Sequence, residues 1–355
     1  MSNQISQLLA QWYPLRDEQQ WVLAQIVETD GPSYRKAGSV MLLSEAGLRL
    51  GLLSGGCLEA DLLRHAGLVM ADGAPKLVCY DMRDDADLTW ELGIGCGGMV
   101  KILLQYLTKE HDYLGLGKAF EELQAGRPQW LCQRMSSEGY ALTHDWLGVE
   151  SARLSQWLSL EERRGHRGTR IDQSGEAYLL TPVFPVTHLA IFGGGVDAQP
   201  LVAMALQMGW KVTVFDQRSA YARSGAFLEA NHIDRTPLAE IDAEVAFNGI
   251  DAAVVMQHNL DLDALALKLL AAKSLSYFAV LGPRNRLQRL LNRAGLIMSD
   301  FVTPPQGPAG LDLGGDLPEH IALSILAQCQ ADIYGGTAQR LAKVPLVQCD
   351  LNLRA

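Results

Sequence analysis

Residues 189–218 read LAIFGGGVDAQPLVAMALQMGWKVTVFDQR, and this stretch decides the fold of the second half of the chain. A short apolar segment leads into Gly193-x-Gly195-x-x-Ala198, an apolar helical pattern follows, and a second apolar segment ends on Asp216. One glycine allows a tight turn, the next lets backbone approach a phosphate, the alanine permits close helix packing, and the acid is placed for a ribose diol. The pattern predicts a Rossmann-type unit.

The glycine turn is therefore a candidate nucleotide site. Gly193, Gly195 and Ala198 would form the phosphate-binding turn, and Asp216 would bind the ribose. The N–H groups and the positive dipole end of the following helix favour an anion at this place. Because one fold serves many functions, the motif predicts the fold and leaves nucleotide binding open.

Strands and helices continue to alternate after this unit. Residues 252–256 form an apolar strand pattern that ends before His258, and residues 277–281 form another that ends before Arg284. Such alternation predicts a doubly wound parallel sheet, whose ligands sit at the carboxyl ends of the strands. We therefore expect His258 and Arg284 on the same rim as the glycine turn, as candidate cofactor-binding residues. A histidine there can equally be an ordinary rim or core residue.

Two cysteines of the first half are surrounded by glycines. Cys57 follows Ser54-Gly55-Gly56 at the start of a predicted helix, and Cys96 lies within Gly95-Cys96-Gly97-Gly98. A helix start lowers the pKa of a thiol, and glycines leave the sulfur approachable. Both thiolates are candidate catalytic groups and metal ligands, since a thiolate can bind a soft metal or carry a transferable sulfur. The alternative is that each is a small buried hydrophobe.

Other polar residues border these motifs. Ser54, with its two glycines, is a candidate cofactor contact, and Glu59 is a candidate acid or base. Carboxylates in a first helical turn more often serve the helix dipole. Arg35 and Lys36 lie in the loop TDGPSYRKAG (29–38), where they can bind a phosphate or face solvent.

Composition bounds the class of protein. The chain has 355 residues, 48% hydrophobic and 20% charged, which suits a globular protein of about two domains. A net charge of −10 argues against binding of a nucleic-acid backbone, which needs a basic surface. The sequence lacks the motifs of P-loop nucleoside triphosphatases, zinc proteases and serine hydrolases, and it lacks the cysteine spacing of zinc sites.

The cellular setting is also indicated. The N-terminus lacks a basic segment followed by an apolar core, so no secretory signal is expected. The uncharged run 177–196 is interrupted by prolines and by the glycine turn, so we expect no membrane span. The six cysteines are dispersed without C-x-x-C pairs, which is typical of a reducing cytoplasm. We expect the cysteines without glycine neighbours in the core or the tail, at positions 79, 132, 329 and 349.

The expected architecture is an α/β protein with a C-terminal Rossmann-type doubly wound parallel sheet and an N-terminal mixed α+β domain. The expected divisions are a first domain at 1–108, a connecting segment with little chemistry at 109–185, a Rossmann-like domain at 186–335 and a tail at 336–355.

Several motifs together resemble the xanthine dehydrogenase accessory factor family, XdhC/CoxI. They are SGGCLEAD (54–61), LGIGCGG (92–98), the loop 29–38, the Rossmann segment and GLDLGGDLPEHIALSILA (310–327). The resemblance implies a cytoplasmic, self-associating maturation factor for a molybdenum hydroxylase such as xanthine dehydrogenase. Such a factor binds the molybdenum cofactor, protects it while a cysteine desulfurase supplies sulfide, and hands it to the apoenzyme.

The chain departs from the family pattern at two places. Asp197 stands in the glycine turn where the family commonly has histidine, and Gly282-Pro283-Arg284 replaces a Gly-Ser-Arg element. An anionic side chain beside the helix start disfavours a pyrophosphate there. The cysteine motifs are intact, so we expect Cys57 and Cys96 to face a cofactor pocket in a cleft beside the Rossmann rim.

Two other functions remain open from the sequence. The glycine turn with Asp216 also suits an NAD(P)-dependent oxidoreductase. A pure interaction scaffold with an empty Rossmann fold is the third possibility. Binding of nicotinamide nucleotides and content of molybdenum distinguish the three.

Overall fold

The computed structural model describes residues 3–56, 58–81, 83, 97–158, 168–171, 174–221, 225, 227, 230 and 232–340. The chain divides into two compact units, Met1–Thr187 and His188–Ala355. The described α-helices are α1 (Ile5–Trp12), α2 (Glu59–Asp72), α3 (Leu116–Gln124), α4 (Ala152–Trp157), α5 (Ala198–Gln207), α6 (Ala243–Ala246), α7 (Leu260–Leu270), α8 (Arg284–Ala294) and α9 (Pro318–Tyr334). Within the described ranges, no helix has the length and apolar character needed to cross a membrane.

Three sheets contain the described strands. The first unit has β1 (Trp21–Asp30), β2 (Val40–Ser44), β3 (Arg49–Leu50), β4 (Lys76–Asp81), β5 (Met99–Leu107), β6 (Gln129–Met135), β7 (Ala141–Gly148), β8 (Gly168–Ile171) and β9 (Ala177–Val183). The second unit has β10 (His188–Phe192), β11 (Lys211–Phe215), β12 (His232–Asp234), β13 (Ala252–Val255) and β14 (Tyr277–Val280).

The first sheet is antiparallel around β1, in the order β3-β2-β1-β5-β4. Alternate residues of β1 face opposite sides, as strand geometry requires. Val22, Ala24 and Ile26 join the apolar core that includes α2. On the other face, Val27 packs in a cluster with Leu179 of β9.

The second sheet of this unit has the order β7-β6-β9-β8 and lies wholly within residues 129–183. This part of the chain, expected as a connecting segment, therefore carries a four-stranded antiparallel sheet together with α3 and α4. Leu179 joins Val27 and Leu103 in one buried cluster, so the two sheets share apolar core. The division of the first half into a domain at 1–108 and a connector at 109–185 stays a prediction.

The second unit has a wholly parallel sheet in the order β12-β11-β10-β13-β14. Strands β10, β13 and β14 are buried along their whole length and mostly apolar, as parallel strands covered by helices require. One face packs against α5 and α9, and the other against α7 and α8. The chain leaves β10 towards β11 on one side and returns as β13 on the other, which creates a topological switch point. The expected fold class is confirmed.

A histidine at the start of this sheet makes its stability depend on pH. His188 is buried with its Nε2 2.9 Å from Thr213 Oγ1, and burial lowers the pKa of His188 from 6.5 to about 4. Since the folded state keeps the neutral ring, the unfolded chain binds the proton first as the pH falls. Stability is therefore lost between pH 6.5 and 4.

We expect the second unit to lose about 2 kcal/mol of unfolding free energy between pH 7.5 and pH 5 through this group. Urea unfolding at the two pH values, with hydrogen exchange of β10 and β11 as the probe, measures the loss. His188→Gln removes the titrating ring and should lose correspondingly less. A variant with the same pH dependence as the unmodified chain would contradict this assignment.

Candidate functional site

The glycine-rich loops of the first unit meet at one end of its first sheet. β1 ends at Asp30, which pairs with Met99 at the start of β5. β3 ends at Leu50, and an added Cβ on Gly51 would lie 3.2 Å from the carbonyl oxygen of Val40, the first residue of β2. Because neighbouring strands are antiparallel, their connections converge there. The segments concerned are residues 29–38, residues 51–56 with Leu58, and Gly97-Gly98.

A close backbone approach ties two of these segments together. An added Cβ on Gly98 would overlap the carbonyl oxygen of Pro32 and lie 2.8 Å from that of Asp30. Gly31 has a φ of +78°, and an added Cβ on this residue would lie 3.4 Å from the Cα of Gly98. Only glycine fits such a contact, since a side chain would have to push backbone aside. Gly31 and Gly98 therefore serve the mutual packing of the two segments.

Glu59 and Ser54 form a buried hydrogen-bonded knot below the second segment. Glu59 Oε1 accepts from the N–H of Ser54 at 2.9 Å and from that of Leu53 at 3.3 Å. The Ser54 hydroxyl donates to Glu59 Oε2 at 2.5 Å and accepts from the N–H of Gly56 and of Leu58. The knot fixes the turn between Leu53 and Leu58, with Gly55 and Gly56 exposed at its tip.

The same bonds determine the charge of Glu59. Burial would raise the pKa of this carboxyl, which is 3% exposed, but the hydrogen bonds from Ser54 and the backbone hold the pKa below its ordinary value. Glu59 is therefore an ionised carboxylate whose two oxygens both bind the loop. Its geometry is that of a positioning residue, and its role as an acid or base stays a prediction.

Arg35 and Lys36 lie on the loop that joins β1 to β2. Arg35 is half-buried, its Nε donates to Ser39 Oγ at 3.3 Å, and burial lowers its pKa. Lys36 is exposed, and its carbonyl accepts from the N–H of Ser39. The loop therefore presents two cations at the end of the sheet where the glycine segments meet. Binding of an anion by them stays a prediction.

The two glycine-flanked cysteines, Cys57 and Cys96, lie outside the described residues. Their described chain neighbours are Gly56, Leu58 and Gly97, which belong to the converging segments.

The described cysteines outside these motifs differ among themselves. Cys132 and Cys329 are buried, as expected, and burial raises the pKa of Cys132 to about 11. The expectation of a core or tail position was wrong for Cys79, which is exposed. Its strand, β4, is at the edge of the sheet, where the outward side chains meet solvent. Cys349 lies outside the described residues.

Removal of the buried carboxylate should loosen the turn. Glu59→Ala leaves the buried N–H groups of Leu53 and Ser54 without their acceptor, which costs about 1–3 kcal/mol. We expect faster hydrogen exchange in residues 51–58 and a lower melting temperature. Glu18→Ala, at an exposed glutamate of the same unit, is the control and should change stability by less than about 0.5 kcal/mol. Unchanged exchange in Glu59→Ala would show that the knot does not hold the loop.

The glycine turn of the second unit follows β10 at the switch point. Gly193 has a φ of +128°, and an added Cβ would lie 2.6 Å from the carbonyl oxygen of Met256 at the end of β13. Gly193 is thus required because any side chain would collide with the backbone at the end of β13. Ala198 is fully buried as the first residue of α5, consistent with close helix packing.

Asp216 is held by its own chain. The carboxylate is 1% exposed and accepts from the N–H of Gly194 at 2.8 Å and from the Arg218 guanidinium at 2.6 and 2.8 Å. Burial would raise its pKa, but these bonds hold the pKa below the ordinary value. Asp216 was predicted to bind a ribose, but both of its carboxylate oxygens already accept hydrogen bonds from protein donors.

A second buried ion pair, which the sequence pattern did not predict, secures the end of β13. Asp263 is fully buried, binds the Arg286 guanidinium, and accepts from the N–H of Gln257 at 3.0 Å. Arg218 donates to the carbonyl of Gln257, also at 3.0 Å. The backbone of Gln257 is thus held on both sides. The pairing of α7 with α8 brings Asp263 and Arg286 together, and no local pattern announces it.

His258 does meet the glycine turn. Its Nε2 lies 2.7 Å from Asp197 Oδ2, and its backbone has a φ of +55°, in the left-handed region. Arg284 is exposed as the first residue of α8, after the strand end at β14. The structure joins the histidine to the anionic side chain of the turn, while the use of either residue in binding stays a prediction.

Two features define the class of this protein. One is a Rossmann-type unit with its glycine turn at the switch point, and the other is an antiparallel unit whose glycine loops converge. The XdhC Rossmann domain family matches residues 189–329, and the XdhC and CoxI family matches residues 15–81. The chain belongs to the XdhC/CoxI family.

Individual proteins are similar to this chain over most of its length. A protein of Bacillus subtilis described as a probable subunit of xanthine dehydrogenase is 31% identical over 323 residues, covering 88% of this chain and 93% of that protein. The molybdenum cofactor insertion chaperone PaoD of Escherichia coli is 22% identical, covering 86% of this chain and 81% of its own length. A crystal structure of a xanthine dehydrogenase from Bacillus halodurans superposes with a TM-score of 0.74 at 30% identity, covering 96% of this chain and 98% of that one.

Proposed function

We propose that this protein binds the molybdenum cofactor, assists its sulfuration and inserts it into a molybdenum hydroxylase such as xanthine dehydrogenase. The observation that carries the proposal is the convergence of three glycine-rich segments at one end of the first sheet, bordering Cys57 and Cys96 in the chain. Support also comes from the relatives, one of which is described as a molybdenum cofactor insertion chaperone.

The chemistry of the convergent loops suits this cargo. Thiolates of Cys57 and Cys96 would bind molybdenum or relay sulfur, because soft metals prefer sulfur ligands. Backbone without side chains, at Gly55 and Gly56, allows a large ligand to come close. The cofactor's phosphate would bind Arg35 and Lys36, which share the same end of the sheet.

The proposed role defines partners as well. The apoenzyme of the molybdenum hydroxylase receives the cofactor, and a cysteine desulfurase is the source of the sulfur. We further propose that the protein works in the cytoplasm and self-associates, with no nucleic-acid partner.

The competing proposal, an NAD(P)-dependent oxidoreductase, has support from the glycine turn but not from the side chains around it. The Asp216 carboxylate already accepts from Arg218 and Gly194. The Asp197 carboxylate stands beside the start of α5, where a pyrophosphate would bind. A dinucleotide would have to displace one protein-bound carboxylate and sit against another, so these residues do not fit it.

Cysteine substitutions test the cofactor role directly. When the chain is expressed in cells that make the molybdenum cofactor, Cys57→Ser and Cys96→Ser should each retain at least tenfold less molybdenum than the unmodified protein, as measured by elemental analysis. Cys79→Ser, at an exposed thiol on β4, is the matched control and should retain the full amount. The two depleted variants should also fail to restore activity to an inactive molybdenum hydroxylase. Full molybdenum in both would remove the thiols from the proposal.

Titration with nicotinamide nucleotides tests the competing proposal. We expect NADH and NADPH fluorescence to show no saturable binding at up to 1 mM nucleotide, roughly the upper end of ordinary substrate affinities. Saturable binding that is lost in Gly195→Ala would instead assign the glycine turn to a dinucleotide.

A further inference from the structure

A cavity of 270 Å³ opens at the carboxyl end of the parallel sheet, within the second unit. Its walls come from the ends of β13 and β14, from α5 and from the first turns of α9. The lining is apolar over most of its surface, through Leu201, Met256, Leu281, Ile321 and Ile325. At about 30 Å³ per water molecule, the space is large enough for a bicyclic ring.

The polar part of the lining is the pair Asp197 and His258. An added Cβ on Gly195 would overlap Asp197 Oδ1, so the carboxylate folds over the glycine turn. Its Oδ2 binds His258 Nε2 at 2.7 Å. A carboxylate in this position repels an incoming phosphate and offers hydrogen-bond acceptors to a donor. The cavity therefore suits a ligand whose edge donates hydrogen bonds.

Backbone strain marks the same place. His258 is a non-glycine residue with a φ of +55°, a conformation that persists where the surroundings impose it. The preceding Gln257 has its backbone held by Asp263 and Arg218. Its buried side-chain amide has no hydrogen-bond partner among the described residues. Strained residues and unpaired buried polar groups concentrate at functional sites.

We propose that this cavity binds a planar 2-aminopyrimidinone ring, the ring shared by pterins and guanine. The 2-amino group and the adjacent ring N–H donate side by side, which matches the acceptors of the Asp197 carboxylate. The two carboxylate oxygens have room for several donors, so the bond to His258 can persist. The apolar walls cover the faces of the ring. This inference rests on the proposed function for its choice of ring, because the proposed cargo carries a pterin.

Pterin itself, which is fluorescent, is the probe for the full-length protein. Lumazine has the same bicyclic shape but a carbonyl in place of the 2-amino group, so it presents an acceptor to Asp197. We expect pterin to bind at least tenfold more tightly than lumazine. Equal affinities for the two rings would overturn the proposal. Competition by guanosine tells whether the ring of a pterin or that of a guanine nucleotide fits better, and either result supports the ring class.

Two substitutions connect binding to this cavity. Asp197→Asn removes the charge and one acceptor, and should weaken pterin binding by about tenfold to a hundredfold. Ala322→Met fills the space from α9 and should abolish binding, with circular dichroism and melting as a check on folding. The matched control is Asp242→Asn, at an exposed aspartate of the same unit. Unchanged pterin affinity in Asp197→Asn would overturn the assignment even if Ala322→Met fails to fold.

Molybdenum content separates this inference from the proposed function. If Asp197→Asn binds pterin as well as the unmodified chain does, the cavity is wrongly assigned, whatever its molybdenum content. If the unmodified chain carries no molybdenum but binds pterin through Asp197, the ring site stands and the insertion role fails. Loss of pterin binding in Asp197→Asn, with the Asp242→Asn control intact, supports the ring site, and the molybdenum content of the unmodified chain tests the proposed function separately.

Discussion

A buried carboxylate needs hydrogen-bond donors, and in the first unit this requirement fixes the conformation of the turn between Leu53 and Leu58. Glu59 is buried and ionised, and its donors are the hydroxyl and backbone of the turn that begins at Ser54. The turn can therefore expose Gly55 and Gly56 without becoming loose. The contact of Gly98 with Pro32 joins a second segment to the same end of the sheet. Every proposal about cofactor binding by this unit depends on these two local constraints.

The second unit uses its carboxylates differently. At the carboxyl ends of a doubly wound sheet, an open glycine turn and an accessible acid are usual for dinucleotide binding. Here Asp216 is neutralised by Arg218, Asp263 by Arg286, and Asp197 stands beside His258. The fold has the shape of a nucleotide-binding unit, while the buried Asp216 and Asp263 are engaged in ion pairs that hold the ends of β11 and β13. What remains open is an apolar cavity with one acceptor-rich edge.

The sequence predicted most of the fold and only part of the site. The glycine turn between two apolar segments predicted a Rossmann-type unit, because its requirements are local, and the alternation of strand and helix patterns after it predicted the parallel sheet. The role of Glu59 depends on a turn that brings Ser54 within hydrogen-bond distance of its carboxylate. Neither the helix-dipole nor the acid–base interpretation included this contact. Arg218 and Arg286 were missed because their partners follow from packing. The close spacing of Asp216 and Arg218 in the sequence was a local signal from which the first pair could have been predicted.

Hydrogen exchange of the full-length protein with and without molybdenum cofactor tests the central claim, that the converging glycine loops of the first unit hold the cargo. The account predicts slower exchange in residues 29–38, 51–58 and 97–101 when the cofactor is bound, with little change in the second sheet of that unit. Exchange in these three segments that is unaffected by a bound cofactor would contradict the account.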